Sequence, residues 1–181
     1  MGAALASAAV VFGHEVTLIS GPASITMPAA TIRIDVETAA QMHQAVLTQF
    51  PAHDLLIMAA AVADYRPRQI HSAKLPRDGT LTIECEPTED ILAAVSQIKR
   101  SDQRTVGFSL ETEGNLARAK EKLARKRLDL IVYNSIGTLD SDQIEPVLLW
   151  PDGRREEFTA LPKEDFARVL IDRAAQLFEM Q

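Results

Sequence analysis

Asp54-Leu-Leu-Ile-Met-Ala-Ala-Ala-Val-Ala-Asp64 is the stretch whose reading decides the fold. From Leu55 to Ala61 no polar side chain interrupts the run. A strand with one wet face alternates polar and apolar residues. A run that is apolar at every position suits a strand covered on both faces, the habit of parallel sheets flanked by helices. The same run, Leu55–Ala63, is the longest strongly apolar stretch in the chain, well short of the ~20 residues that a membrane helix needs.

Elements of alternating type extend outward from this strand. Upstream, residues 3–12 carry a small-residue helix pattern that Gly13 closes, Glu15–Ile19 and Ile32–Val36 read as strands, and Thr38 caps a helix running to about Phe50. Downstream, Tyr65–Gly79 holds two prolines, three arginines, one lysine and no hydrophobic period, so it reads as a long loop. Leu81–Glu84 resumes as a strand, Thr88-Glu89-Asp90 opens a helix, and Thr105–Leu110 is a strand. Residues 115–127 form a helix and Leu128–Tyr133 a further strand. Val147–Trp150 and Glu157–Thr159 flank an Asp152-Gly153 turn, a hairpin signal. Pro162 starts a last helix to about Phe178, in the N1 position that proline favours. The pattern predicts one α/β domain over residues 1–181, with a mainly parallel sheet flanked by helices and a C-terminal β-hairpin and helix.

Composition narrows the function. The 181 residues carry a net charge of −6, which speaks against nucleic-acid binding. The first residues, an Ala-rich helix pattern without a basic start, do not read as a signal peptide. The single cysteine, Cys85, sits in an alternating run and fits a reducing, cytoplasmic setting, as a strand side chain before a nucleophile. His14, His43, His53 and His71 lack metal-ligand spacing, and no P-loop or GxGxxG motif occurs.

Ligands of open parallel sheets bind beyond the carboxyl ends of the strands. Asp64, Phe108, Glu111 and Asn134 fall at such ends. Asp64 either accepts bonds from a ribose or a base amine, or caps a turn. Arg118, Lys122 and Lys126 recur every four residues on one helical face. Stacked cations repel by about 0.3–0.5 kcal/mol per pair, a cost that a facing polyphosphate relieves; the other reading is a solvated basic face. Lys74 lies in the long loop, either solvated or placed to fold over a bound triphosphate. The residues alone give a nucleotide-sized anion site on an α/β sheet and no reaction.

At these residues the chain resembles phosphopantothenate–cysteine ligase (phosphopantothenoylcysteine synthetase) of coenzyme A biosynthesis. The matching segments are Ser20-Gly-Pro, Asp35-Val with Thr38-Ala, Ala59-Ala-Ala-Val-Ala-Asp-Tyr-Arg-Pro67, Asp90-Ile-Leu92, Val106-Gly-Phe108 with Glu111-Thr112, Lys122-Leu-x-x-Lys126, Leu128–Val132, Asn134, Ser141-Asp142 and the hairpin. The resemblance implies a Rossmann-like fold and a ligase that uses CTP. CTP activates the carboxylate of 4′-phosphopantothenate as an acyl-cytidylate, and the cysteine amine then attacks it. Carried over residue by residue, Met58, Ala59, Ala60 and Asp64 match part of the nucleotide site. Thr88, Glu89, Asp90 and Ile91 match its helix N-terminus, and Phe108 its aromatic wall. Lys122 and Lys126 match phosphate- or base-contacting lysines, and Lys74 the catalytic lysine of a flap.

Mg²⁺, a homodimer and a separate phosphopantothenoylcysteine decarboxylase are implied as well, with no residue marked as a metal ligand. The family's domain begins with a strand and an Asn-x-Ser-Ser-Gly-Lys-Met-Gly loop. This sequence starts at Met1-Gly2, so the resemblance implies a domain truncated at its amino end. Thr88-Glu89 stands where the family tends to have Asn-Pro, and Ser135 where an aspartate follows Asn134. The alternative is a catalytically inactive nucleotide-binding or assembly module of the same fold.

Overall fold

The computed structural model describes residues 1–23, 28, 31–71, 73–75, 77, 79–111, 116–135 and 143–179, with backbone only at Glu111 and Ser135. Thr112, Ser141 and Asp142 therefore lie outside the described residues, as does the first residue of the helix expected from residue 115.

Helix α1 (Gly2–Val11) is built from small residues and packs along α5 (Lys163–Gln176). It ends in a Schellman turn. Gly13 has φ +84, its amide donates to Val10, and the His14 amide donates to Ala9, each at 3.0 Å. Only glycine enters that left-handed region without cost. The chain then forms β1 (Val16–Ser20), which pairs in parallel with β2 (Thr31–Asp35). Helix α2 (Ala39–Gln49) starts on a capping box: Thr38 Oγ1 accepts from the Gln41 amide at 3.1 Å, and Gln41 Oε1 accepts from the Thr38 amide at 3.0 Å.

The central sheet has five strands: β3 (Leu55–Met58), β6 (Arg104–Glu111), β7 (Leu130–Ser135), β9 (Val147–Leu149) and β10 (Arg155–Glu157). Their order is β10-β9-β7-β6-β3. The first three are parallel, with Leu55 opposite Arg104 and Val106 opposite Leu130; β9 and β10 are antiparallel additions. The β9–β10 turn closes through the expected Asp152-Gly153, with Gly153 at φ +89 and the Trp150 amide donating to Arg154 at 3.1 Å. Two short antiparallel pairs lie outside this sheet: β4 (Tyr65–Pro67) with β5 (Cys85–Pro87), and β8 (Gln143–Ile144) with β11 (Leu161–Pro162).

Alternation along β7 builds both faces of the core. Leu130 and Val132 join Val106, Leu148, Phe166 and Leu170 under α1 and α5. Ile131 and Tyr133 join Leu92, Ala119 and Leu123 under α3 (Ile91–Ile98) and α4 (Leu116–Arg125). Gly107 of β6 sits where these layers press closest. A Cβ there would stand 2.6 Å from Leu128 Cδ1 and 3.5 Å from Leu92 Cδ1.

Three expectations need correction. The Asp54–Ala61 strand forms only over Leu55–Met58, and its residues are half-buried instead of covered on both faces. β3 is a terminal strand of its sheet, with ladder bonds to β6 alone, and among the described residues no ladder joins it to β1. Leu81–Glu84 is not a strand; pairing begins at Cys85, opposite Pro67 in the segment read as loop. Pro162 is the N-cap of α5, not its first helical residue.

Gly107→Ala is expected to destabilise the domain by about 1–3 kcal/mol, because buried Leu128 has to leave its place in a packed core. A denaturant midpoint equal to the parent's would contradict this packing.

Candidate functional site

β3 ends at Met58, opposite Gly107 and so one residue from Phe108 in register. Beyond it the chain leaves the ladder, and Ala63–Asp64 is tied to the approach to α3. The Thr88 amide donates to the Asp64 carbonyl at 2.9 Å, and Thr88 Oγ1 donates to the Ala63 carbonyl at 2.6 Å. Asp64 itself is exposed, as is Ala60, while Met58 and Ala59 are half-buried against the core clusters. Asp90 caps α3, accepting from the Ala93 amide at 3.1 Å. Ile91 is buried, so its side chain is core and only its backbone is available to a ligand.

Two of the basic residues on α4 and its end turn toward these segments. Lys126 Nζ lies 2.9 Å from Asp90 Oδ1, and Lys122 Nζ donates to the Phe108 carbonyl at 2.6 Å. The expected pair of lysines thus meets the expected helix start and aromatic strand. Phe108 is half-buried and packs its ring toward the α1–α5 face. Lys122 also lines, with Arg118, Glu121 and Arg125, a shallow recess of about 190 Å³. Burial pushes the Asp90 carboxyl up, but the Lys126 ammonium and the Ala93 amide outweigh it, leaving Asp90 below the ordinary carboxylate range.

Lys74 is exposed and has no hydrogen-bond or ion-pair partner among the described residues. It sits on the arm that leaves through β4 and returns through β5. That arm is braced at its base by Arg66 on Glu86 at 2.8 Å, and by the Arg68 amide on the Glu84 carbonyl at 2.9 Å. Further out it exposes Ile70, Leu75, Leu81 and Ile83.

Two features escaped the sequence reading. The side-chain oxygen of Asn134, near the end of β7, is buried without a hydrogen-bond partner among the described residues. His43, on α2, has a buried Nε2 without a hydrogen-bond partner among the described residues, 3.6 Å from Glu89 Oε2. Position marks Asn134 as a strand-end residue, but spacing reveals neither its burial nor the approach of His43 to Glu89, because both depend on how α2, α3 and β7 pack. Among the described residues, no three His, Cys, Asp or Glu side chains converge as a metal site, and no helix is long and apolar enough to cross a membrane.

The profile of the DNA/pantothenate metabolism flavoprotein C-terminal domain matches residues 1–178. Over 161 residues the chain is 38% identical to the coenzyme A biosynthesis bifunctional protein CoaBC of Vibrio cholerae, covering 85% of this chain and 40% of that protein. Over 138 residues it is 44% identical to a cysteine/cysteine sulfinic acid decarboxylase of an unknown prokaryotic organism, covering 75% of this chain and 38% of that one. The crystal structure of the C-terminal domain of CoaBC superposes with a TM-score of 0.84 at 33% identity, over 99% of this chain and 83% of that chain. The chain thus spans about 40% of the length of these curated relatives.

Replacing Lys126 by Met is expected to raise the Asp90 titration toward ordinary carboxylates, since it removes the ammonium and leaves the burial. The sign for stability follows. Asp90 is held below its unfolded value, so its contribution is present above that value and is lost as pH falls through the folded one. The variant should lose less stability on acidification than the parent. Carboxyl NMR titration and acid melts check both, and parallel acid curves would contradict the pairing.

Proposed function

The chain belongs to the DNA/pantothenate metabolism flavoprotein C-terminal domain family, and we propose that it joins 4′-phosphopantothenate to cysteine at the expense of CTP. The observation that carries this reading is the convergence of Lys126 on Asp90 at the start of α3 and of Lys122 on the Phe108 carbonyl. The names of the CoaBC relatives support the pathway, coenzyme A biosynthesis. The decarboxylase relative is matched over 38% of its length, and its reaction is not carried over.

In the proposed reaction a carboxylate oxygen of 4′-phosphopantothenate attacks the α-phosphorus of CTP, and pyrophosphate leaves. The cysteine amine then attacks the acyl carbon, and CMP leaves with the bonding pair of the broken acyl–oxygen bond. Negative charge grows on the departing pyrophosphate, where fixed cations and a helix start lower the barrier most. Lys122 is positioned to exchange the neutral Phe108 carbonyl for a phosphate. Lys126, held by Asp90, supplies a fixed positive charge. Asp64, exposed where the chain leaves β3, suits a ribose hydroxyl or the cytosine amine. Met58, Ala59, Ala60 and the backbone of Thr88, Glu89 and Ile91 line the approach. Phe108 holds Lys122 through its carbonyl, while its ring packs toward the α1–α5 face. Lys74, exposed on its arm, would close on the triphosphate and shield the acyl-cytidylate from water.

Mg²⁺ would enter on the CTP phosphates, since the described residues offer no three-ligand site of their own. Exposed Ile70, Leu75, Leu81 and Ile83 on the arm favour a homodimer in which a second copy covers them. Light scattering showing a monomer would overturn that part. The product would pass to a phosphopantothenoylcysteine decarboxylase.

CTP-dependent pyrophosphate release with 4′-phosphopantothenate tests the reading, on this chain and on the same chain with any reading frame ahead of Met1. Turnover in either supports the ligase. CTP binding without turnover in both supports an inactive nucleotide-binding or assembly module instead.

Lys74→Ala is expected to lower kcat about 100-fold or more while CTP Kd stays within about threefold, the pattern of a group used only at the transition state. Equal turnover would remove the flap role. Asp64→Ala and Lys122→Ala are expected to weaken CTP about tenfold each in calorimetric titration. Unchanged isotherms would count against the pocket.

A further inference from the structure

Two acidic residues stand side by side at the entrance to α3, and each has its own cationic partner. Asp90 is paired with Lys126, and Arg125 also pulls on it. Glu89 is three-quarters exposed, and its one ion-pair partner among the described residues is His43, at 3.6 Å. No other charged side chain lies on α2, whose sequence is Ala39-Ala-Gln-Met-His-Gln-Ala-Val-Leu-Thr-Gln49, and none lies on α3.

The His43 ring is mostly buried, and among the described residues its Nε2 lacks a hydrogen-bond partner although it lies 3.6 Å from the carboxylate. A small turn of the exposed Glu89 side chain brings the pair into hydrogen-bond contact. A polyphosphate approaching the α3 amides meets Glu89 as a like charge unless something neutralises it.

We propose that His43 is a positioning residue for the nucleotide: protonated, it holds and neutralises the Glu89 carboxylate so that the start of α3 stays open to the CTP phosphates. The inference rests on the ligase reading above. It carries a sign. As pH rises and the ring loses its proton, Glu89 stands uncompensated and CTP binding weakens.

The test is CTP titration calorimetry on the full chain at about pH 6 and about pH 8, with four proteins: wild type, His43→Gln, Glu89→Gln and the double variant. Ionisation of CTP itself is common to all four and cancels. Wild type is expected to lose about threefold to tenfold more affinity over this interval than Glu89→Gln. At the lower pH, His43→Gln should weaken CTP about threefold to tenfold in the wild-type background and less than about twofold beside Glu89→Gln.

A merely structural histidine would cost the same in both backgrounds, and that result overturns the proposal. So do identical pH slopes in wild type and Glu89→Gln, a comparison that stands even where His43→Gln fails to fold, because Glu89 is exposed and its amide variant leaves the core untouched. CTP binding by none of the four at either pH has a different meaning: the ligase reading has then failed, and this inference falls with it.

Discussion

One carboxylate oxygen of Asp129 holds the foot of the sheet. It accepts from the Thr105 amide at 2.6 Å and the Thr105 hydroxyl at 3.1 Å, and it receives the Lys99 ammonium. Lys99 follows α3 directly, and it also donates to the Arg127 carbonyl at 3.2 Å. Four segments therefore meet at this point: the end of α3, the start of β6, the turn after α4 and the approach to β7. Removing one partner from a partly buried pair of this kind leaves the other charge uncompensated, a larger loss than the pair's net contribution. With the foot fixed, the register Val106 to Leu130 is fixed, and so are Phe108 and Asn134 further along the same strands.

The turn after α4 carries the constraint to the site. Arg127 has φ 49, its amide donates to Ala124 at 3.2 Å, and the Leu128 amide donates to Leu123 at 3.0 Å. This is a Schellman ending with arginine in the position glycine normally takes. A non-glycine residue in that region costs about 1–2 kcal/mol, which the Lys99 contact to the same residue's carbonyl helps to offset. The reversal fixes the helix end just after Lys126, the residue that reaches Asp90. A strained turn at the foot and a cation at the site are thus two consequences of one local geometry.

Much of the fold was legible because it follows from local rules. Gly13 after a small-residue helix, Thr38 three residues before Gln41, and Asp152-Gly153 between apolar runs each mark a boundary through backbone chemistry acting over a few residues. β7, read only as a further strand, has neighbours on each side and side chains in both core faces. The both-faces pattern overstated β3, because hydrophobicity records what a strand is suited to and not which strands stand beside it. Leu81–Glu84 alternates like a strand, yet ladder bonds form at Cys85–Pro87, where a partner is available. At the site, helical spacing marked Lys122 and Lys126, a strand end marked Phe108 and the family resemblance marked Asp90; packing sets Lys126 on Asp90 and Lys122 on the Phe108 carbonyl. The burial of the Asn134 side-chain oxygen and the approach of His43 to Glu89 depend on segments distant in sequence, and no spacing rule reaches that far.

The cations of the candidate site differ in what each must give up to meet an anion. Lys126 is engaged with a carboxylate whose titration it depresses, so releasing it exposes the like charge of Asp90 beside the incoming group. Lys122 donates to the neutral Phe108 carbonyl, a contact whose loss uncovers no charge on Phe108. Lys74 has no partner among the described residues and gives up only hydration. Under the proposed reaction this ranking divides the labour. A fixed pair shapes the field at α3, Lys122 exchanges contacts on binding, and Lys74 is available to the charge that develops later. In a chain of net charge −6, that local order concentrates attraction for a polyphosphate at one edge of the sheet while the overall charge repels polyanions elsewhere.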